Sequence, residues 1–234
     1  MTNYISGPDV ISLMDRRICD FHMHSFYSDG DLLPSEIARR TRVLRNRLIA
    51  ITDHADASNL EWVVNALRRA SVEVSRHIDD FELVPGVELT HVPPASIPEL
   101  AREAKRLGAK VVVVHGETPV EPVEAGTNKA ACSCSDVDIL AHPGLINEEE
   151  VLMAKENGVF LELSYRGGHC LGNGHVARLA MEAGTPLLVD SDAHTVSDHL
   201  TPEMSLVVAR GAGLSEEEAE RAVFRNPAQL IKRF

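Results

Sequence analysis

The chain has 234 residues, of which 44 % are hydrophobic and 25 % charged, the balance of a globular, soluble protein. Its formal net charge of −12 argues against nucleic acid as a partner, since a nucleic-acid binder neutralises phosphates with Lys and Arg. A chain of this size buries enough apolar surface to fold without disulfides or a structural metal, so any metal cluster calls for a functional explanation.

Four cysteines are present, and Cys132-Ser133-Cys134 has no second pair at zinc-ribbon spacing. They are read as reduced thiols of a cytoplasmic protein. The amino terminus lacks the apolar stretch of a signal peptide, and there is no apolar run of about 18 residues. Neither secretion nor a membrane span is expected.

Strand-like and helix-like segments alternate along the chain. The first apolar run ends at His22-Met23-His24. A helix over 34–45 follows, with Pro34 at its start and Ile37, Ala38, Val43 and Leu44 on one side. The second run, from Leu48, ends at Asp53-His54 and leads to a helical segment over 59–78. The third, from Phe81, ends in Glu88; a helix over 97–107 closes at Gly108. The fourth, 110–115, ends in His115 and opens a Pro- and Gly-rich loop over 116–128 that should overhang the neighbouring strand ends.

The fifth run, 137–142, ends in His142 and precedes a helix over 148–157. The sixth, 159–164, is followed by Arg166 and a helix over 174–183. The seventh starts at Pro186 and runs into Asp192-Ala193-His194. Helices over 201–210 and 215–224 follow; Ser215 and Glu218 form a capping-box pattern at the start of the second. A short docking helix over 226–234 ends the chain.

Continuous apolar strands such as Val111-Val112-Val113-Val114 fit parallel strands covered on both faces. Seven β/α repeats without a domain-breaking linker predict one α/β barrel, of (β/α)7 TIM-like type, over 1–234. Its core spans about 18–200, and its C-terminal helices about 201–234. A doubly wound open sheet is the runner-up. It gathers ligands only near a switch point, and too many strands contribute here.

Six of the eleven histidines lie at, or two residues before, the ends of these strands. One strand-end histidine by itself is most simply a hydrogen-bonded structural residue. Repetition over six histidines with Glu88 and Asp192 points instead to one polynuclear metal site at one mouth of a barrel. In H-x-H the side chains alternate with period two, so both imidazoles face the same way. Mixed nitrogen and oxygen donors suit zinc, manganese or iron. Ser28-Asp29-Gly30 reads equally as a turn, and Glu88, after Pro85-Gly86-Val87, as an exposed loop acid; both gain weight from the pattern alone.

The motifs Asp20-Phe21-His22-Met23-His24, Ser28-Asp29-Gly30, Thr52-Asp53-His54, Gly86-Val87-Glu88, His115, Ala141-His142-Pro143-Gly144 and Ser191-Asp192-Ala193-His194 resemble those of the PHP (polymerase and histidinol phosphatase) superfamily, in the family's order. The resemblance spans about 18–200. It implies a distorted seven-stranded barrel with three divalent transition metals. One would be held by His22, His24, Glu88 and Asp192, a second by shared Glu88 with His115 and His142, and a third by Asp29, His54 and His194. The intact set separates the chain from degenerate relatives such as the RNase P protein component of PHP descent. Asp29 stands where the family's histidinol-phosphate phosphatases carry a histidine, which points away from histidinol phosphate as substrate.

The activity expected is histidinol-phosphatase-like hydrolysis of a small phosphomonoester by a metal-bridging hydroxide. Arg166, directly after the sixth strand, is a candidate to clamp phosphate oxygens bidentately, with an ordinary surface-loop arginine as the alternative. His169, His175 and Lys129 are further candidates for substrate binding, each with an ordinary loop, helical or solvated alternative. His77, His91 and His199 are read as structural or surface residues. A phosphodiesterase or exonuclease acting on nucleic acid or nucleotides is the alternative, weakened by few basic residues and 4 % aromatics. An amidohydrolase ranks lower: its binuclear site often uses a bridging lysine where this chain has His115. A non-catalytic scaffold is disfavoured by the intact ligand set.

Overall fold

The computed structural model describes residues 16–234; residues 1–15 of the expected domain lie outside the described residues. A parallel sheet of eight strands forms the centre: β1 (Ile18–Asp20), β2 (Asn46–Ile51), β3 (His54–Ala55), β4 (Glu82–Leu89), β5 (Val111–His115), β6 (Ile139–Ala141), β7 (Phe160–Ser164) and β8 (Leu187–Asp190). The order is β1-β2-β4-β5-β6-β7-β8, with β3 paired to the end of β4. The expected second strand is thus broken at Thr52-Asp53 into β2 and β3, and both pieces lean on β4.

The two sheet edges meet. Past β1 and β8, Met23 and Ala193 form a parallel bridge, and the amides of His24 and Asp192 donate to the carbonyls of Ala193 and His22 at 2.9 Å. The sheet therefore nearly closes into a barrel, as the seven-repeat pattern predicts.

Helices α1 (Pro34–Val43), α2 (Leu60–His77), α3 (Ile97–Leu107), α4 (Thr127–Cys132), α5 (Glu148–Asn157), α6 (Asn173–Ala183) and α7 (Pro202–Gly211) accompany the strands. Local chemistry sets their ends. Asn147 and Glu150 form a reciprocal capping box at the start of α5, and Gly158, at φ 74°, terminates it in a conformation that costs glycine little. Helix α4 lies partly inside the expected loop. Its start is tied from outside: Glu117 Oε1 accepts the amides of Gly126 and Asn128 at 2.9 Å. The segment expected as a single helix over 215–224 divides into α8 (Glu216–Glu220), capped by Ser215 and Glu218, and a π-helical turn over Arg221–Arg225. Helix α9 (Asn226–Ile231) follows.

Inside the barrel, period-two alternation stacks layers along the axis. The lowest is apolar, with Phe21, Leu48, Val84, Val111, Ile139, Phe160 and Leu188. Leu230, Ile231 and Phe234 of the C-terminal segment pack beneath it, and Asn226 Nδ2 donates to the Leu187 carbonyl at 2.8 Å. No helix among the described residues is long and apolar enough to cross a membrane. All four cysteines are unpaired, Cys170 exposed and the others buried.

Candidate metal centre

The carboxyl end of the barrel gathers the ligand-type residues. His22 and His24 flank the buried Met23 and face the same side. Asp29 arrives on a tight loop held by Asp53, whose carboxylate accepts from the Ser25 amide and hydroxyl and the Ser28 hydroxyl, each at 2.7 Å. Gly30 lets that loop fold back, since a Cβ there would stand 2.3 Å from the His24 carbonyl oxygen. His54 comes from β3, Glu88 from β4 and His115 from β5. His142, Asp192 and His194 directly follow β6 and β8. The structure brings all nine predicted ligand residues to this one mouth.

Their spacing is that of donors around shared ions. His22 Nε2 stands 3.1 Å from His24 Nε2 and 3.3 Å from Glu88 Oε1, and His24 Nε2 stands 3.3 Å from Asp192 Oδ1. Asp29 Oδ1 lies 3.3 Å from His54 Nε2 and 3.1 Å from His194 Nε2. His142 Nε2 lies 3.6 Å from Asp192 and 3.8 Å from Glu88. Four donors about 2.1 Å from a tetrahedral ion stand roughly 3.4 Å apart, so these separations are the edges expected of coordination shells.

Two further observations fit divalent ions. Both ring nitrogens of His142, His115 Nδ1 and Glu88 Oε1 are buried without a hydrogen-bond partner. Such orphaned groups are rare and costly in a folded interior, and bound cations would engage Glu88 Oε1 and His142 Nε2. His142 and Asp192 also hold positive φ, at 30° and 52°. Backbone strain of this kind typically costs about 1–3 kcal/mol and clusters at functional sites.

Without an ion the imidazoles divide: burial opposes charge on His22, yet Glu162, Glu88 and Asp192 raise it well above the usual value, so a metal would have to displace its proton. Burial, reinforced by neighbouring imidazoles, holds the pKa of His24 and His142 well below the usual histidine value, so both present lone pairs. Burial opposes ionisation of Glu88, but His22, His115 and His54 outweigh it and keep the carboxylate well below its ordinary range. Burial likewise opposes charge on His54, yet Glu88 and Asp29 raise it to about 10.

Beneath the cluster lies a layer the sequence did not disclose. Glu162, in the middle of β7, meets His22 Nδ1 at 2.6 Å, and both side chains are fully buried. The contact fixes the ring and aims Nε2 at the cluster, the usual arrangement behind a ligating histidine. Asp20 and Asp190 share this layer. Burial pushes Asp20 up to about 6 and, with Asp20 and Glu162 nearby, Asp190 well above the carboxylate range. A lone acid within the apolar run Phe160-Leu161-Glu162-Leu163 was the signal available for Glu162.

The remaining candidates divide. Arg166 is at the cluster: its Nη1 lies 2.8 Å from His194 Nδ1, and its Nε 3.8 Å from Asp192, with the side chain about one-third exposed. His169 is also there, stacked on His142 with ring centroids 4.1 Å apart. His175 and Lys129 are not brought in. His175 Nε2 bonds the Ile146 carbonyl at 2.6 Å because the first turn of α6 faces that loop. Lys129 points off α4 to the exposed Glu149. His91, read as a surface residue, reaches the rim, where its Nε2 stands 3.3 Å from Glu121. His77 pairs with Glu73 on the surface of α2.

A nearly closed parallel barrel with an imidazole and carboxylate cluster at its carboxyl end defines the class: a metal-site barrel of hydrolase type. No family model matches the chain. It is 49 % identical over 214 residues to an uncharacterised protein of Methanocaldococcus jannaschii, covering 92 % of this chain and 98 % of that one. It is 29 % identical to a protein of Thermoanaerobacter sp. named "Probable phosphatase", covering 86 % and 88 %. It is 28 % identical to Ribonuclease P protein component 3 of Methanosarcina mazei, covering 92 % and 88 %. Among solved structures, a chain of archaeal ribonuclease P with mature tRNA shares the fold with a TM-score of 0.67 at 13 % identity, covering 91 % and 90 %. These likenesses agree with the resemblance of the motifs to the PHP superfamily.

Proposed function

We propose that this chain is a metal-dependent hydrolase of small phosphomonoesters, acting at the mouth of the barrel as one domain over 1–234. The observation that carries the reading is the convergence of nine ligand-type side chains at coordination-shell spacing, around buried donors without other partners. One ion would be held by His22, His24, Glu88 and Asp192, a second by His115 and His142 with Glu88, and a third by Asp29, His54 and His194. Bound there, divalent zinc, manganese or iron would supply Lewis acidity towards phosphoryl oxygens and lower the pKa of water towards neutrality.

The chain's own residues would orient and bind. Glu162 holds His22 in register. Arg166 Nη1 lies 2.8 Å from His194 Nδ1, and its partly exposed guanidinium is placed to donate to phosphate oxygens. The serine hydroxyls near the cluster are engaged elsewhere, and Thr90 Oγ1 lies 2.7 Å from His54 Nδ1 and donates to Glu88 Oε2 at 3.1 Å. Ser25 and Ser28 donate to Asp53, and Ser191 donates to the His22 carbonyl at 3.2 Å. No side-chain nucleophile is therefore required. The unpaired cysteines suit a cytoplasmic location.

A second reading has specific support: relatives named Ribonuclease P protein component 3, and a solved ribonuclease P chain of the same fold. It weighs against excluding nucleic acid on charge alone. Under that reading the chain would bind RNA or cleave phosphodiesters. One experiment separates the two. Protein loaded with manganese, zinc or iron is assayed on a panel of small phosphomonoesters, and binding to tRNA and single-stranded DNA is measured at physiological salt. Turnover of a phosphomonoester with weak nucleic-acid binding is expected. Inert protein with sub-micromolar, strongly salt-dependent binding would favour the second reading.

A further inference from the structure

The loop between β5 and α4 passes over the mouth and delivers two side chains to it, Thr118 and Glu121. Thr118 Oγ1 and His169 Nδ1 share a hydrogen bond of 2.7 Å. That bond occupies one ring nitrogen and leaves Nε2 facing inward, 3.4 Å from Glu121 Oε1 and 3.9 Å from Asp192 Oδ2. The other oxygen of Glu121 stands 3.1 Å from His115 Nε2. Donor atoms of His115, His142 and His169 lie within 4.8 Å of one another, and all three residues are buried.

These separations bear on how the second ion would be held. Glu88 lies 3.8 Å from His142 and is outside ion-pairing distance of His115, whereas it stands closer to His22 and His54. Glu121 meets both His115 and His169 at distances close to the roughly 3.4 Å edge of a tetrahedral shell. The rings of His142 and His169 are nearly parallel, at 20°, and both nitrogens of His142 are buried without partners. An ion among these residues would engage one nitrogen of His142, while Thr118 holds the His169 ring as the neighbours of ligating histidines commonly do.

We propose that His169 and Glu121 are metal ligands, adding to His115 and His142 at the second position, where Glu88 is the more distant donor. The ion is a divalent transition metal accepting nitrogen and oxygen donors. The proposal rests on the reading of the mouth as a metal centre. It makes the loop between β5 and α4 part of the coordination shell, which a substrate-selecting cover alone would not be.

The test is a cobalt(II) titration of chelator-stripped protein, followed by visible absorption and calorimetry, on wild type, His169→Ala, Glu121→Ala and the surface control His77→Ala. Wild type and the control should bind about three ions. His169→Ala should lose one class of site, and Glu121→Ala should weaken the same class by about 10- to 100-fold, with altered ligand-field bands. Both substitutions lie at the mouth, away from the apolar floor, and circular dichroism before titration confirms the fold. If wild type binds cobalt and both variants match it in stoichiometry, affinity and spectrum, the proposal falls while the metal-centre reading stands. If wild type binds none, both fall.

Discussion

The two ends of this barrel are built on opposite principles. At the amino end, Phe21, Phe160, Ile139, Leu188 and Leu230 are buried against one another, sealed by the C-terminal segment. At the carboxyl end, six histidines, Glu88 and Asp192 are held in or beside the barrel wall, several donors lack partners, and two ligand-type residues hold positive φ. The floor is arranged for stability. The mouth carries the kind of strain and unsatisfied polarity that a protein keeps where chemistry needs it. Between them lies the layer of Asp20, Glu162 and Asp190, where the interior changes from apolar to ligating.

Paired substitutions break the comparison most sharply. His142→Ala should reduce metal-supported hydrolysis to background yet leave the denaturant midpoint of chelator-treated protein unchanged or raised, since it deletes two unsatisfied buried nitrogens. Phe160→Ala should do the reverse. It should cost about 3–5 kcal/mol in urea unfolding while the folded fraction keeps its bound metal. A large stability loss in His142→Ala would mean that the mouth, too, holds the fold together.

A smaller effect is expected at the rim. Arg166→Ala should leave metal content intact and lower kcat/KM for phosphomonoesters by on the order of 10²-fold, with kcat falling too if the contact strengthens in the transition state. Arg166→Lys should recover part of this, because an ammonium cannot reproduce the planar two-bond fork. Unchanged kinetics would exclude Arg166 from phosphate binding. The smallest effect belongs to the intermediate layer. Glu162→Gln retains shape and a hydrogen bond to His22 but loses the charge, so metal affinity should fall by about tenfold, read by competition with a chelator.

The mouth was legible in the sequence because strands present side chains with period two and parallel barrels place their chemistry at one end. His22, His24, His54, Glu88, His115, His142, Asp192 and His194 each sit where an apolar run stops. What escaped notice depends on contacts distant in sequence. Glu121 and His91 meet 30 residues apart across the loop between β5 and α4. Helix α4 reads partly as loop because its amides are capped by Glu117, eleven residues before its second residue, a device that no local pattern encodes. Glu162 and His22 are 140 residues apart. His169 was read as a pocket residue, and its orientation towards His142 follows from Thr118, 51 residues earlier.

The central claim is that the carboxyl-end cluster holds metal. Elemental analysis of protein purified without chelator, wild type beside His142→Ala, tests it most directly. The expected result is about two to three transition-metal equivalents per wild-type chain and fewer in the variant. A wild-type chain that carries none and takes up none on exposure to manganese, zinc or iron would contradict the account.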